Sequence, residues 1–358
     1  MPAFPWDSLA AATAIAQAHP DGIVDLSVGT PVDPTPTVVQ EALRGAADSP
    51  GYPATHGTPA LRAAAADWLR RALGVTVDPT AVLPVIGTKE LVGWLPTLLG
   101  LGRGDAVAFP ALAYPTYDVG ARVAGATPVP VADGEVPTAA GVRLVWVNSP
   151  ANPTGRVASA AELGRLVAWA RSVGAVVVSD ECYVELGWDA TPVSVLNPEV
   201  CQGSHAGLLA VHSLSKRSNL AGYRAGFVTG DPAVVADLLE VRKHLGMIVP
   251  GPVQAAAAAA LRDDEHVEVQ RGRYRQRRQQ LLDALRGAGF RIDHSAAGLY
   301  LWATRGEPCR DTVAWLARRG ILVAPGDFYG AGGSSHVRVA LTATDERVAA
   351  AAGRLRAG

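Results

Sequence analysis

The sequence predicts an α/β fold, with a mainly parallel central sheet in a large domain and a smaller α+β domain beside it. Two observations carry that expectation. Through the middle of the chain, short apolar runs alternate with longer segments of helical periodicity, the pattern of a parallel sheet covered on both faces. After Pro252 the texture changes to a long helical stretch, then short strands around one further helix. The length of 358 residues agrees, since about two domains are expected at that size. In order, residues 82–86, 106–109, 143–148, 175–179, 208–212 and 226–229 read as strands, each a brief apolar run. Residues 88–99, 159–173 and 232–244 read as the helices between them. One helical stretch is expected from 252 to 287; its alanine tract at 255–260 favours helix, because alanine loses no side-chain entropy there. Strands at 298–303, 321–324 and 337–341 and a helix at 311–319 complete the smaller unit.

Composition narrows the function. Apolar residues make up 49% of the chain, enough for a large core, and the net charge of −1 supplies no field for nucleic acid or an anionic membrane. The five arginines within 271–278 are expected on a solvated or subunit-facing helix surface. No run approaches the roughly 18 apolar residues of a membrane helix. The amino terminus lacks a basic segment followed by an apolar one, as a secretory leader would have. Cys182, Cys201 and Cys309 are few and widely spaced, which fits reduced thiols in a cytoplasmic protein and no structural metal site.

The chemistry concentrates where apolar runs end. Ser213-Leu-Ser215-Lys216 leaves the run 208–212, so its lysine stands at a strand's carboxyl end, where open α/β sheets bind ligands. An amine attacks a carbonyl only when neutral, so a lysine that forms a Schiff base must be held where its pKa falls. Asp180 ends the run Ala-Val-Val-Val-Ser; alone it could be a helix cap or a turn acid. Asn148-Ser-Pro-Ala-Asn152-Pro-Thr-Gly155 is a tight loop after another strand. Gly87-Thr88-Lys89 opens a helix after the strand 82–86, and a helix amino terminus offers converging N–H groups and positive potential to a phosphate. Arg338 is a lone charge in the apolar run His336-Val-Arg-Val-Ala, and a buried guanidinium needs a carboxylate, internal or from a ligand.

Together these segments resemble the class I/II aminotransferases, the fold type I enzymes that use pyridoxal 5′-phosphate. The resemblance runs from Gly29 to Arg338. It implies that Lys216 carries the cofactor on its amine and shuttles protons, in ping-pong transamination. Asp180 would protonate the pyridine nitrogen, and Tyr183 and Asn152 would bond the ring oxygen. Tyr114 would stack on the ring, and Gly87, Thr88, Lys89, Ser213, Ser215 and Arg224 would cradle the phosphate. Arg338, with Gly29 and Asn152, would grip the substrate α-carboxylate. The segment Gly51-Tyr52-Pro is similar to one whose tyrosine reaches the neighbouring subunit's phosphate, implying a homodimer with shared sites. The resemblance also implies a discontinuous small domain, residues 1–35 plus 251–358, around a large domain of 36–250.

Within the family, 4–9 and 25–36 are most similar to N-succinyldiaminopimelate aminotransferases of lysine and cell-wall biosynthesis, which implies glutamate and 2-oxoglutarate as the exchanging pair. Other readings stay open: an aspartate or aromatic aminotransferase, or a carbon–sulfur β-lyase on the same fold. A ligand-sensing module of a transcription regulator is disfavoured, because the residues before Leu26 are too few for a DNA-binding domain.

Overall fold

The computed structural model describes Pro2 and residues 4–356. Among the described residues thirteen strands form three sheets. In chain order they are β1 (Val24–Asp25), β2 (Val82–Ile86), β3 (Ala106–Pro110), β4 (Thr127–Val131), β5 (Val142–Asn148), β6 (Val176–Asp180) and β7 (Leu208–Ser213). Then follow β8 (Ala225–Gly230), β9 (Arg291–Asp293), β10 (Tyr300–Thr304), β11 (Ile321–Leu322), β12 (Ala324–Pro325) and β13 (Val337–Ala340).

The central sheet has seven strands in the order β2-β8-β7-β6-β5-β3-β4. Only β8 runs against its neighbours; the other pairings are parallel. Val, Leu and Ala dominate β6 and β7, whose residues are buried almost throughout, because helices cover both faces. On one face lie the helices Pro59–Leu73, Ala160–Val173 and Gly251–Arg262; on the other lie Thr88–Leu98, Thr116–Ala124 and Pro232–Leu245. All six strands and three helices expected in this region are present, with ends moved by a residue or two.

Two departures have clear causes. β4, with the sequence Thr-Pro-Val-Pro-Val, has no counterpart in the expected strands. It is an edge strand paired only with β3, where Pro128 and Pro130 cost no ladder bond on the open side. The single helix expected over 252–287 is two, Gly251–Arg262 and Glu265–Gly287. Asp263 turns extended (φ −107°, ψ 114°) and its carboxylate accepts the His266 N–H at 3.2 Å, so the chain stops and restarts.

The four-stranded antiparallel sheet β12-β13-β10-β9 forms the second layer, packed on the helices Glu265–Gly287, Cys309–Ala317 and Asp345–Arg356. β1 pairs in parallel with β11, tying the amino-terminal arm to this unit. Gly251–Arg262 behaves differently from the expected division at residue 251: its alanines pack into the core of the large sheet.

Candidate active site

Strand register assembles the site. Asn148 lies beside Asp180, Asp180 beside Val211, Ser213 beside Gly226 and Ile86 beside Ala225. The carboxyl ends of β2, β5, β6 and β7 and the start of the reversed β8 therefore share one edge. A cavity of about 660 Å³ opens there. Gly29, Thr88, Lys89, Tyr114, Asn152, Asp180, Tyr183, Ser213, Ser215, Lys216, Arg224 and Arg338 all line it. Tyr52 does not: its side chain stands wholly in solvent.

Lys216 sits on a single helical turn, Leu214–Arg217. The Ser213 hydroxyl caps it, accepting the Ser215 N–H at 3.1 Å. The Lys216 amine donates to the Gly29 carbonyl. Burial holds its pKa below the ordinary lysine value, and the Arg338 and Arg224 cations push the same way. Gly29 is glycine for a steric reason, since a Cβ there would collide with the Tyr300 hydroxyl.

Arg224 crosses the start of the helix Thr88–Leu98 and donates to the Ala221 carbonyl at 2.8 Å. Gly87 (φ 73°) makes room, because a Cβ there would strike the guanidinium. A cation, two serine hydroxyls, Thr88 and free helix N–H groups thus face one corner, the donor set a phosphate dianion requires. The Lys89 ammonium lies 5.7 Å from the Phe4 ring and 5.9 Å from the Tyr114 ring.

Asp180 is buried and accepts from the Tyr117 hydroxyl at 2.7 Å and the Cys182 N–H at 3.2 Å. Burial raises its pKa despite these bonds. No ion pair of the described residues includes it. Asn148 braces the loop after β5, donating to the Asp180 carbonyl at 2.9 Å and accepting the Asn152 N–H at 2.7 Å.

Arg338 is buried in β13, and no carboxylate of the described residues meets it. It donates to the Asn152 side-chain oxygen at 2.8 Å and the Ser27 carbonyl at 2.7 Å, while its Nε has no partner. Of the two carboxylate sources left open by the sequence, the internal one is absent among the described residues: the guanidinium lies over the Tyr300 ring, 3.9 Å away, with one edge unspent. Leaving a buried charge unpaired is costly, so the cavity is built to receive an anion at this end.

Asn148, Tyr117, Cys182, Tyr300 and the arm residues Phe4 and Trp6 also shape the site, and sequence reasoning assigned them no role. Only Tyr117 left a hint, three residues after Tyr114 on a helix start.

Comparisons with known proteins agree with this geometry. The family model for aminotransferase class I and II matches residues 21–355. The chain is 66% identical to the probable aminotransferase Rv1178 of Mycobacterium tuberculosis, over 99% of this chain and 85% of that protein. It is 64% identical to OxyQ of Streptomyces rimosus, a 4-dedimethylamino-4-oxo-anhydrotetracycline transaminase, over 99% of both. A solved structure of a probable N-succinyldiaminopimelate aminotransferase from Thermus thermophilus superposes with a TM-score of 0.88 at 28% identity, covering 99% of this chain and 100% of the other. The chain belongs to the class I and II aminotransferases, the pyridoxal-phosphate-dependent transferases of amino groups.

Proposed function

We propose that this cavity transfers an amino group between glutamate and a second substrate larger than a common amino acid. One observation carries the reading: Asp180 without a cation and Arg338 without a carboxylate face the same cavity. A ligand set that is cationic at one end and carboxylate at the other satisfies both.

Pyridoxal phosphate fits the residues between them, and when bound it supplies an electron sink for the bond at the substrate α-carbon. Ser213, Ser215, Arg224, Thr88 and the N–H groups after Gly87 would hold its phosphate. Asp180 would keep a proton on its ring nitrogen, as an adjacent anion favours the cationic form. Tyr114 would pack against the ring, and Asn152 and Tyr183 would address its oxygen. Arg338 orients the α-carboxylate, and Lys216, whose pKa burial lowers, accepts and returns the α-proton. Tyr52, exposed on its own protomer, serves the site of a second copy in a homodimer.

For the second substrate, N-succinyl-LL-diaminopimelate is supported by the Thermus thermophilus likeness and by Lys89, an exposed cation on the cavity lining suited to an outer carboxylate. An oxo-anhydrotetracycline is the competing reading, favoured by 64% identity to OxyQ and by the aromatic lining of Phe4, Trp6 and Tyr114. Single-turnover absorbance with the loaded enzyme tests both. Glutamate is expected to convert the bound cofactor to its amine form, and the succinylated 6-oxo acid to convert it back. Return by the ring ketone alone moves the assignment to the second reading. Release of pyruvate and ammonia from a β-thiol-substituted amino acid, with no return by either acceptor, overturns both in favour of a lyase.

A further inference from the structure

Tyr300, at the start of β10, touches three parts of the site at once. It is 5% exposed. Its hydroxyl lies 3.2 Å from the Tyr183 hydroxyl, and its ring meets the Tyr183 ring edge-on. The face of the same ring carries the Arg338 guanidinium at 3.9 Å. It also packs against Gly29, the residue whose carbonyl receives the Lys216 amine.

Proton counting orders the two hydroxyls. One proton lies between the oxygens of Tyr183 and Tyr300, and each phenol owns one. If Tyr183 donated to Tyr300, it would have nothing to direct into the cavity. If Tyr300 donates, the Tyr183 oxygen is satisfied and its own O–H is free. We propose that Tyr300 is a positioning residue for amino transfer: its hydroxyl donates to Tyr183, freeing the Tyr183 O–H for the cavity, and its ring fixes the plane of Arg338.

This rests on the role assigned above to Tyr183. The two oxygens are 3.2 Å apart and either can donate, so it is the demand for a free Tyr183 O–H that sets the order.

Two substitutions separate the hydroxyl from the ring. In Tyr300→Phe loaded with pyridoxal phosphate, the pH midpoint of the cofactor's absorbance should move up by about half a pH unit to one, because the donor that stabilises the ionised ring oxygen is weakened. Tyr183→Phe should move it the same way and further. KM for the amino donor should stay within about twofold of wild type in Tyr300→Phe, since the ring remains under Arg338. Tyr300→Leu should raise that KM about five- to tenfold, the worth of a desolvated cation–π contact. A Tyr300→Phe midpoint equal to wild type overturns the proposal. So does an identical loss in both variants and both measurements, the mark of a merely structural residue. A shifted midpoint in a protein that converts neither proposed acceptor supports Tyr300 and overturns only the substrate reading.

Discussion

Glu181, the residue after β6, stands beside His212 of β7, and both are buried. The Glu181 carboxylate accepts from the Val195 N–H at 2.8 Å and the Ser194 hydroxyl at 3.1 Å, leaving its second oxygen 3.6 Å from His212 Nε2. That approach is no ion pair at neutral pH. Burial pushes His212 down to about 3, so its imidazole is neutral, and the same burial pushes Glu181 up to about 7. A carboxyl whose folded pKa exceeds its unfolded one contributes stability that is complete below the unfolded value and lost as pH rises through the folded one. Between pH 4.5 and 7 Glu181 therefore costs stability progressively, while His212 acts oppositely as pH falls from 6.5 toward 3. Glu181→Gln removes the first effect and retains the acceptor oxygen. Relative to wild type, its stability in urea should improve from pH 4 to pH 8 by about 2 to 3 kcal/mol. A difference that stays flat across that range would show Glu181 is not charging in the folded protein.

The helix Glu265–Gly287 carries the arginine run that was expected to be a solvated or subunit-facing surface. The structure corrects that expectation for the run's carboxyl-terminal half. Arg277 is only 2% exposed and holds two acids: Asp33 by a pair of bonds at 2.6 and 2.8 Å, and Asp345 at 2.6 Å. Arg278 binds Asp189 and the Ser295 carbonyl, and Arg271 the Gly187 carbonyl. Asp33 lies on the segment leading from the arm to the large sheet, and Gln270 connects it to Asn219, three residues after Lys216. The helix is thus a clamp between the two sheet units rather than a free face. Removing one member of a buried pair strands the other, so Arg277→Ala should cost about 3 to 5 kcal/mol in denaturant. Asp33→Asn with Arg277→Met should cost less than Arg277→Ala alone, a coupling that a double-mutant cycle reads directly. Equal losses would mean that Asp33 is not stranded. Burial raises the Asp33 pKa, but Arg277 and Gln270 outweigh it, and the net shift is downward. Its contribution is therefore present above the ordinary 3.8 and lost as pH falls below it.

At the scale of the whole molecule, Tyr52 is the one proposed cofactor-binding side chain that the protomer leaves in water. In a two-fold assembly each copy offers the same residue to the other. Tyr52→Ala and Lys216→Ala should each be inactive alone. After mixing and exchange, roughly a quarter of wild-type activity should return, because half the dimers are hybrids and one of each hybrid's two sites is intact. No recovery, with hybrids demonstrated by native mass spectrometry, would place Tyr52 outside the site. Among the described residues no helix is long and apolar enough to cross a membrane.

Lys216, Asp180, Asn152 and Gly87-Thr88 could be placed from sequence because each follows a buried strand directly, and strand pairing brings such ends to one edge. Short-range patterning therefore determined the fold class and the edge that carries the chemistry, and the family resemblance pointed to most of the residues on it. Contacts that join distant segments left no such trace. Arg338 and Asn152 are separated by 186 residues, and the choice of an amide rather than an acid as partner leaves the guanidinium partly unspent. Tyr300 looked like one more apolar strand residue until β10 and β13 paired and set it beneath Arg338. Arg277 was a surface charge by periodicity and a buried clamp by packing. Those assignments depend on which elements meet, and a sequence of local preferences holds no record of that; only the tertiary structure decided them.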